Sequence, residues 1–122
     1  MFDHIGIKVS NLSASTRFYR SALEPLGASL CAEGEGWAGF GIDGASALYL
    51  YSATERCSGA HLAFSAKSRA LVDRFHRAAL EAGGSDNGPP GLRSDYAATY
   101  YAAFVHDPDG NNVEVVCLKE NG

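Results

Sequence analysis

The sequence predicts an α+β protein made of two repeated βαβββ modules whose strands form a curved mixed sheet, a cup. The segment RFYRSALEPLG at residues 17–27 recurs as RFHRAALEAGG at residues 74–84, in register at an offset of 57. From His4 to Gly27, 8 of 24 positions are identical to those 57 residues later, whereas chance would give about one or two. Similar runs of apolar residues surround both segments, and 122 residues is the length of one ordinary domain.

The first module, about residues 1–56, begins with an alternating stretch, FDHIGIKV, whose Ile5, Ile7 and Val9 share one face. This alternation predicts a strand with one apolar face. Asn11 is a suitable N-cap for a helix that ends at Gly27. The apolar residues of that helix recur at near-helical spacing: Leu12, Tyr19, Ala22, Leu23 and Leu26. Three apolar runs separated by glycine-rich turns, ASLCAE, GWAGFGI and SALYLYS, complete the module as strands.

The second module, about residues 57–122, repeats this order. AHLAFSA is its first strand, Ser68 is the N-cap, and Gly83-Gly84 ends the helix. The helix residues expected to face inward are Leu71, Val72, Phe75, Ala78, Ala79 and Ala82. YYAAFVH and NNVEVVCL flank the turn DPDG, a strong hairpin signal. The intervening SDNGPPGLRSDYAAT is rich in Gly, Pro and polar residues, so we expect a long loop, which could act as a lid.

Composition excludes several classes of partner. The net charge of −4 and the pI near 5.4 argue against a nucleic-acid surface. No apolar stretch approaches the ~18 residues of a membrane span, and the first ten residues carry Asp3 where a signal peptide has basic residues. Three cysteines without CxxC spacing, Cys31, Cys57 and Cys117, are expected to be reduced. We therefore expect a cytoplasmic protein whose partner is a small-molecule substrate.

Strand alternation places three metal-ligating side chains on one side of the molecule. If the apolar residues of the first strands lie under the helices, His4 and His61 face the opposite, concave side. By the same period, Glu114 faces them from the last strand. Two imidazoles and one carboxylate suit a divalent Fe, Mn, Ni or Zn ion. Alternatively, the histidines are hydrogen-bonded structural residues that repeat symmetry has preserved.

Other side chains are candidates for binding or proton transfer. Glu114 and Tyr100 are the predicted catalytic residues, with Tyr49 and His106 as further candidates for proton transfer, while His76 is expected on the surface. The predicted substrate-binding residues are Trp37, Tyr49, Arg93, Tyr96 and Phe104. Aromatic residues are also frequent in cores, and Arg93 and Tyr96 could equally be an exposed loop tip, so both alternatives remain open.

The sequence resembles the glyoxalase, bleomycin-resistance and extradiol dioxygenase proteins, the vicinal oxygen chelate superfamily. The resemblance extends from DHIGIKVSNLSASTRFY to AAFVHDPDGNNVEVV, and its most specific part is an aromatic strand, DPDG, and a Glu four residues after that Gly. It implies the glyoxalase-like fold, a divalent metal ion held by His4, His61 and Glu114, and a substrate bound through neighbouring oxygens. It also implies a homodimer, in which sites can draw on one chain or two.

The resemblance leaves more than one function open. Glyoxalase I has a fourth ligand on the last strand of its first module, where alignment of the turns places Leu48, or Tyr49 after a one-residue shift. The remaining His, His, Glu set resembles the triad of extradiol dioxygenases. We therefore expect a metal-dependent lyase, isomerase or dioxygenase. The alternatives are a metal-free drug- or metabolite-binding protein of the bleomycin-resistance type, and a small-molecule sensor or scaffold without catalysis.

Overall fold

The structure is a computed structural model that describes residues 1–120. The first module contains β1 (Ile5–Val9), α1 (Leu12–Leu23), a 3₁₀ turn (Glu24–Leu26), β2 (Ser29–Gly34), β3 (Trp37–Ile42) and β4 (Ala45–Ser52). The second contains β5 (His61–Ser65), α2 (Arg69–Glu81), β6 (Ser85–Leu92), β7 (Tyr101–His106) and β8 (Asn112–Cys117). The predicted α+β class and the repeated βαβββ order are confirmed.

The two modules have the same sheet topology. The strand orders are β1-β4-β3-β2 and β5-β8-β7-β6, and the first strand of each module pairs in parallel with the last. His61 is the first residue of β5, and His4 immediately precedes β1. Both first strands lie at sheet edges, which leaves one side of each backbone without a strand partner within its sheet.

The structure corrects the prediction for residues 85–99. Residues Ser85–Leu92 form the edge strand β6, and only the part after Leu92 is loop. The pairing with β7 is irregular, with register shifts on either side of Gly88. An edge strand tolerates Pro89 and Pro90 because only one side of its backbone must donate hydrogen bonds to a neighbouring strand.

The helices cover one face of each sheet, and the core lies between them and the strands. Val113, Val115 and Cys117 of β8 are fully buried. Asn11 and Ser68 cap their helices, accepting hydrogen bonds from the backbone N–H groups of Ala14 and Leu71 respectively. Neither α1, α2 nor the 3₁₀ turn has the length and hydropathy needed to cross a bilayer. The predicted inward faces are thus largely correct, although the sequence reading omitted the buried Phe18.

Hydrogen bonds connect the DPDG turn of the second module to residues of the first module. The hydroxyl of Tyr19 donates to Asp107 Oδ2 at 2.6 Å. Ser10 donates to Asp109 through its backbone N–H at 2.8 Å and its hydroxyl at 2.5 Å. Burial, together with the charge of Asp107, raises the pKa of Tyr19 well above its usual value. The two modules are therefore held together by hydrogen bonds as well as by apolar packing.

Candidate functional site

A buried carboxylate lies on the second sheet, on the face turned away from α2. Glu114 of β8 has its side chain only 2% exposed. Its Oε1 lies 2.8 Å from Nε2 of His61, and its Oε2 accepts a hydrogen bond from the hydroxyl of Tyr100. His61 itself is half exposed, with 54% of its side chain accessible. We call these three residues the carboxylate cluster.

The register of the second sheet explains why this cluster forms. Glu114 pairs with Ala63, two residues after His61, so β5 and β8 direct both side chains to the same face. Tyr100 immediately precedes β7 and reaches Glu114 from the other side. Partial burial, assisted by the hydrogen bond to Glu114, raises the pKa of Tyr100 to about 12. The phenol is consequently neutral at physiological pH.

Two further predicted residues lie beside each other on the same sheet. Arg93 donates hydrogen bonds to the carbonyls of Gly91 at 2.9 Å and Pro89 at 2.7 Å. Its guanidinium carbon lies 5.3 Å from the centre of the Phe104 ring, and Phe104 pairs with Glu114 across the sheet. A cation is thus held near the carboxylate cluster, where it could attract an anionic group of a ligand.

Tyr96 belongs to the same region but is more exposed. The residue is 65% exposed, and its ring meets that of Tyr100 edge to face at a centre-to-centre distance of 5.0 Å. The structure therefore places Arg93, Tyr96, Tyr100 and Phe104 together with His61 and Glu114, all in the second module.

The first sheet carries aromatic rings on its corresponding open face. Trp37 and Tyr49 lie with their ring centres 6.1 Å apart, and Tyr49 and Tyr51 lie 6.1 Å apart with nearly parallel planes. We call these three rings the aromatic floor. The ring of His4 stands perpendicular to Tyr49, 5.5 Å away. Tyr51 was not among the predicted site residues, although its spacing of two from Tyr49 on one strand indicates a shared face.

The register also identifies the residue of the first module that corresponds to Glu114. Gly6 pairs with Tyr49, just as Ala63 pairs with Glu114 at the equivalent position. Leu48, which alignment of the turns had placed there, is instead a core residue with 5% exposure. The equivalent is therefore Tyr49, and this position supplies no fourth carboxylate.

His4 does not join the carboxylate cluster within one chain. Residues 1–120 contain no group of three or more His, Cys, Asp or Glu side chains placed to share a metal ion. His4 instead contacts Asp3, with Nδ1 at 2.7 Å from Oδ1, and its side chain is 55% exposed. The full set of His4, His61 and Glu114 remains a prediction.

A cavity of about 710 Å³ is lined by β1, β5 and neighbouring residues of α1, β3 and β4. His4 and His61 both line it, together with mainly apolar side chains, whereas Glu114 and the aromatic floor are not part of its wall. Because the core residues Leu23, Phe40 and Leu48 also line it, the cavity reaches the helix side of the first sheet rather than its aromatic face.

The two remaining histidines differ in their position relative to the carboxylate cluster. His76 of α2 was expected on the surface, but its side chain is largely buried. Its Nε2 lies 2.8 Å from Oδ1 of Asp86. His106 is half-buried at the end of β7 and pairs with Asn112, which also pairs with His61. Its side chain therefore lies on the same face of the sheet as His61 and Glu114.

The fold and the sequence agree on the family. The sequence profile of the glyoxalase/bleomycin resistance protein/dioxygenase superfamily matches residues 1–115. The chain belongs to this superfamily. The resemblance noted in the sequence is thereby confirmed at the level of the family. No curated protein matches the chain.

Solved structures of the superfamily have the same fold. A glyoxalase/bleomycin resistance protein from Albidiferax ferrireducens T118 is 27% identical, with a TM-score of 0.79 over 96% of this chain and 98% of that one. A family enzyme from Burkholderia phytofirmans PsJN is 16% identical, with a TM-score of 0.74 over 96% and 98% of the two chains. A glyoxalase-related enzyme from Fulvimarina pelagi is 18% identical, with a TM-score of 0.73 over 93% and 84%. At such identities the last two similarities bear on the fold alone.

Proposed function

We propose that this protein is a divalent-metal-dependent lyase, isomerase or dioxygenase that acts on a small substrate with neighbouring oxygens. The observation that carries the proposal is the buried carboxylate of Glu114 beside the accessible imidazole of His61. Burying a carboxylate is costly unless a cation or several donors compensate it. The equivalent position of the first module holds Tyr49, so the fold itself does not require a carboxylate there.

The donor set suits a divalent ion. Nε2 of His61 and Oε1 of Glu114 approach to 2.8 Å from adjacent strands. Imidazole and carboxylate together favour Fe, Mn, Ni or Zn over Mg or Ca. His61 and Glu114 would hold the metal with His4 as the third ligand. When bound, such an ion would act as a Lewis acid that polarises a substrate oxygen.

Tyr100 would act as a positioning residue for this carboxylate. Its hydroxyl donates to Oε2 of Glu114, which leaves Oε1 directed at His61. Outer hydrogen bonds of this kind orient metal ligands and tune their basicity. A phenol that stays protonated at neutral pH is suited to the task, because it remains a donor to the carboxylate.

The third ligand leads us to propose a homodimer. His4 and His61 are both half exposed and lie on separate sheets of one chain, next to edge strands that are open to another chain. In a twofold arrangement, His4 of one protomer would meet His61 and Glu114 of the other, and two identical sites would form. Light scattering at micromolar concentration would give a mass of twice 12.9 kDa; a monomer across that range would contradict this arrangement.

Metal analysis tests the proposal directly. Protein purified without chelator, or reconstituted with Fe(II), Mn(II), Ni(II) or Zn(II), should contain about one ion per chain. Glu114→Ala, His61→Ala and His4→Ala should lose it, while His76→Ala serves as the histidine control and should retain it. Equal metal content in all four variants, or a wild type that stays empty after reconstitution, would contradict the proposal.

A mixing experiment tests whether two chains build each site. Differently tagged His4→Ala and His61→Ala chains are co-expressed and the mixed dimer is isolated. One site of that dimer would then combine intact His4 with intact His61 and Glu114, and about one ion per mixed dimer should return. A site built within one chain would give no recovery, because each chain lacks one ligand.

The aromatic floor supports a second candidate, a metal-free binding protein for a drug or metabolite. Trp37, Tyr49 and Tyr51 form a contact surface that does not depend on a metal ion. An empty site after reconstitution, combined with a ligand-dependent rise in melting temperature, would favour this function.

A further inference from the structure

We propose that Asn111 is a positioning residue for His61: its side chain fixes the start of β5 against β8 and so holds the imidazole beside Glu114. As a statement about a metal ligand, this inference rests on the proposed function. The placement of His61 is a property of the protein without metal, so it can be measured whether or not an ion binds.

The side chain of Asn111 is buried and links the DPDG turn to the residue before β5. Asn111 is 2% exposed. Its Nδ2 donates to Oδ2 of Asp107 at 3.0 Å, and its Oδ1 accepts from the backbone N–H of Ala60 at 3.0 Å. An ionised carboxylate only accepts and a backbone N–H only donates, so an amide turned the other way would satisfy neither partner. Asn111 therefore has one orientation, with its oxygen directed at Ala60.

Both backbone groups of Ala60 are bound to the start of β8. The N–H donates to the side chain of Asn111, and the C=O accepts from the N–H of Asn112 at 2.9 Å. The parallel register then continues with His61 opposite Asn112. In this register the imidazole reaches Glu114, with Nε2 at 2.8 Å from Oε1. The amide of Asn111 thus acts at the residue from which the histidine strand departs.

The rest of β5 does not determine its register alone. The strand has five residues, lies at a sheet edge and, in the described part of the chain, pairs with β8 only. Residues 54–59, which lead into it, are exposed and irregular. A slip by one residue is excluded because it would turn Leu62 and Phe64 away from the core. A slip by two would keep those faces but move His61 along β8, and the hydrogen bond to Ala60 opposes it.

The first module shows the arrangement without an asparagine at this position. Strand pairing makes Ser46 the equivalent of Asn111, and its hydroxyl reaches less far than an amide. His4 precedes β1 and makes its polar contact with the adjacent Asp3. His61, by contrast, lies within β5 and reaches the neighbouring strand. The two histidines are thus placed differently where the residue beside the strand start differs.

The test uses Asn111→Ser, which gives the second module the residue of the first. Nuclear Overhauser effects between the His61 ring and the Glu114 side chain are measured on metal-free protein. We expect them in the wild type and expect their loss in the variant. Where the wild type binds a divalent ion, chelator competition should show an affinity about 10- to 100-fold lower in the variant, as for other outer partners of metal ligands.

Tyr19→Phe is the matched control. It removes another buried hydrogen bond to Asp107 and leaves the bond between Asn111 and Ala60 in place. The Overhauser effects should persist in this variant, and any metal affinity should stay within about twofold of the wild type. If Tyr19→Phe loses the contact as completely as Asn111→Ser, the effect is a general loss of stability and the inference is wrong.

A reciprocal double variant, Asp107→Asn with Asn111→Asp, exchanges the donor and the acceptor. The carboxylate at position 111 would accept from Ala60 and from the amide at position 107, so the contact with His61 should persist. A folded double variant without the contact would overturn the inference, and this arm decides the question if the serine variant does not fold. A contact retained in Asn111→Ser, with folding verified by a melting curve, would overturn it as well.

The same measurements separate this inference from the proposed function. A wild type that takes up no metal, but whose contact between His61 and Glu114 depends on Asn111, would remove the metal-dependent enzyme and leave the positioning role intact. A wild type that binds metal, with contact and affinity unchanged in Asn111→Ser, would keep the metal site and eliminate the positioning role.

Discussion

The two sheets share strand order and register, yet their open faces differ in chemistry. On the first sheet, Tyr49 lies between two other aromatic residues, with glycine at the paired position of β1. On the second sheet, the equivalent Glu114 is buried between an imidazole and a phenol. One position of a repeated strand therefore supplies an aromatic ring in one module and a carboxylate in the other.

This contrast shows where a repeated module can diverge. Side chains under the helix fill a packed core, so their size and apolar character are constrained in both copies. Alternate residues of the same strands point away from that core and contribute little to its packing. The equivalent core residues Phe18 and Phe75 are identical and fully buried, whereas Tyr49 and Glu114 have nothing in common but their backbone position.

The largest expected effect comes from adding a carboxylate to β4 in either of two adjacent positions. Leu48→Glu would bury an unpaired charge among core side chains, because Leu48 is 5% exposed, and should lower the free energy of unfolding by at least about 3 kcal/mol. Tyr49→Glu places the same side chain on the open face. The Tyr49→Glu variant should fold. Its affinity for a divalent ion, measured in competition with a chelator, should be about tenfold higher, because the new carboxylate adds an anionic ligand beside His4.

Denaturant unfolding and metal competition on both variants check this prediction. Both variants introduce the same glutamate side chain, so they differ only in the face of the sheet on which that side chain lies. If Tyr49→Glu unfolds the protein while Leu48→Glu is tolerated, the register that equates Tyr49 with Glu114 is wrong.

Much of the fold could be predicted from the sequence, because its signals are local. The helices repeat at a fixed offset with a cap at Asn11 and Ser68, and the DPDG turn fixes the last hairpin. The strand β6 could not be predicted, because Gly88, Pro89 and Pro90 read as loop residues unless the strand is known to lie at an edge. Edge position depends on sheet order, which is a tertiary property.

The candidate site was predictable in part for the same reason. Alternation along each strand places Glu114 and His61 on one face, and the structure confirms that contact. Alternation cannot set the relative position of two sheets, so the distance from His4 to the other two side chains did not follow from the sequence. The shift from Leu48 to Tyr49 arose because the two turns that precede β4 and β8 differ by one residue in register.

A smaller effect is expected where the two modules are joined. Tyr19→Phe removes the hydrogen bond from the first module to Asp107 and should lower the free energy of unfolding by about 1.5–3 kcal/mol at neutral pH. Asp107 keeps hydrogen bonds from the backbone of Asp109 and from Asn111, so the carboxylate is not left unpaired. Urea unfolding of the wild type and the variant at pH 7 measures the difference.

The hydrogen bond between Tyr19 and Asp107 should also make the free energy of unfolding depend on pH, and the pKa of Tyr19 sets the direction of that dependence. Burial and Asp107 raise its folded-state pKa above the usual value near 10. The unfolded chain therefore releases this proton first, and the stabilisation is complete below about pH 10 and declines as pH rises above it. The gap between wild type and Tyr19→Phe should narrow in that range. A gap that is constant from pH 7 to about pH 11 would contradict the assignment.

The smallest expected effect tests whether the two helices still behave as copies. Asn11 and Ser68 accept from backbone N–H groups at 3.1 and 3.3 Å, and neither helix has an acidic residue in its first turn to share the role. Asn11→Ala and Ser68→Ala should each lower the free energy of unfolding by about 1 kcal/mol. Because the two caps belong to separate helices, the double variant should show the sum of the two losses within about 0.5 kcal/mol. Ser13→Ala, an exposed position next to the first cap, is the control and should be nearly neutral. A cost at one cap several times that at the other would mean that the modules have diverged in the stability of their helices, and that the difference between them extends beyond the open faces of the sheets.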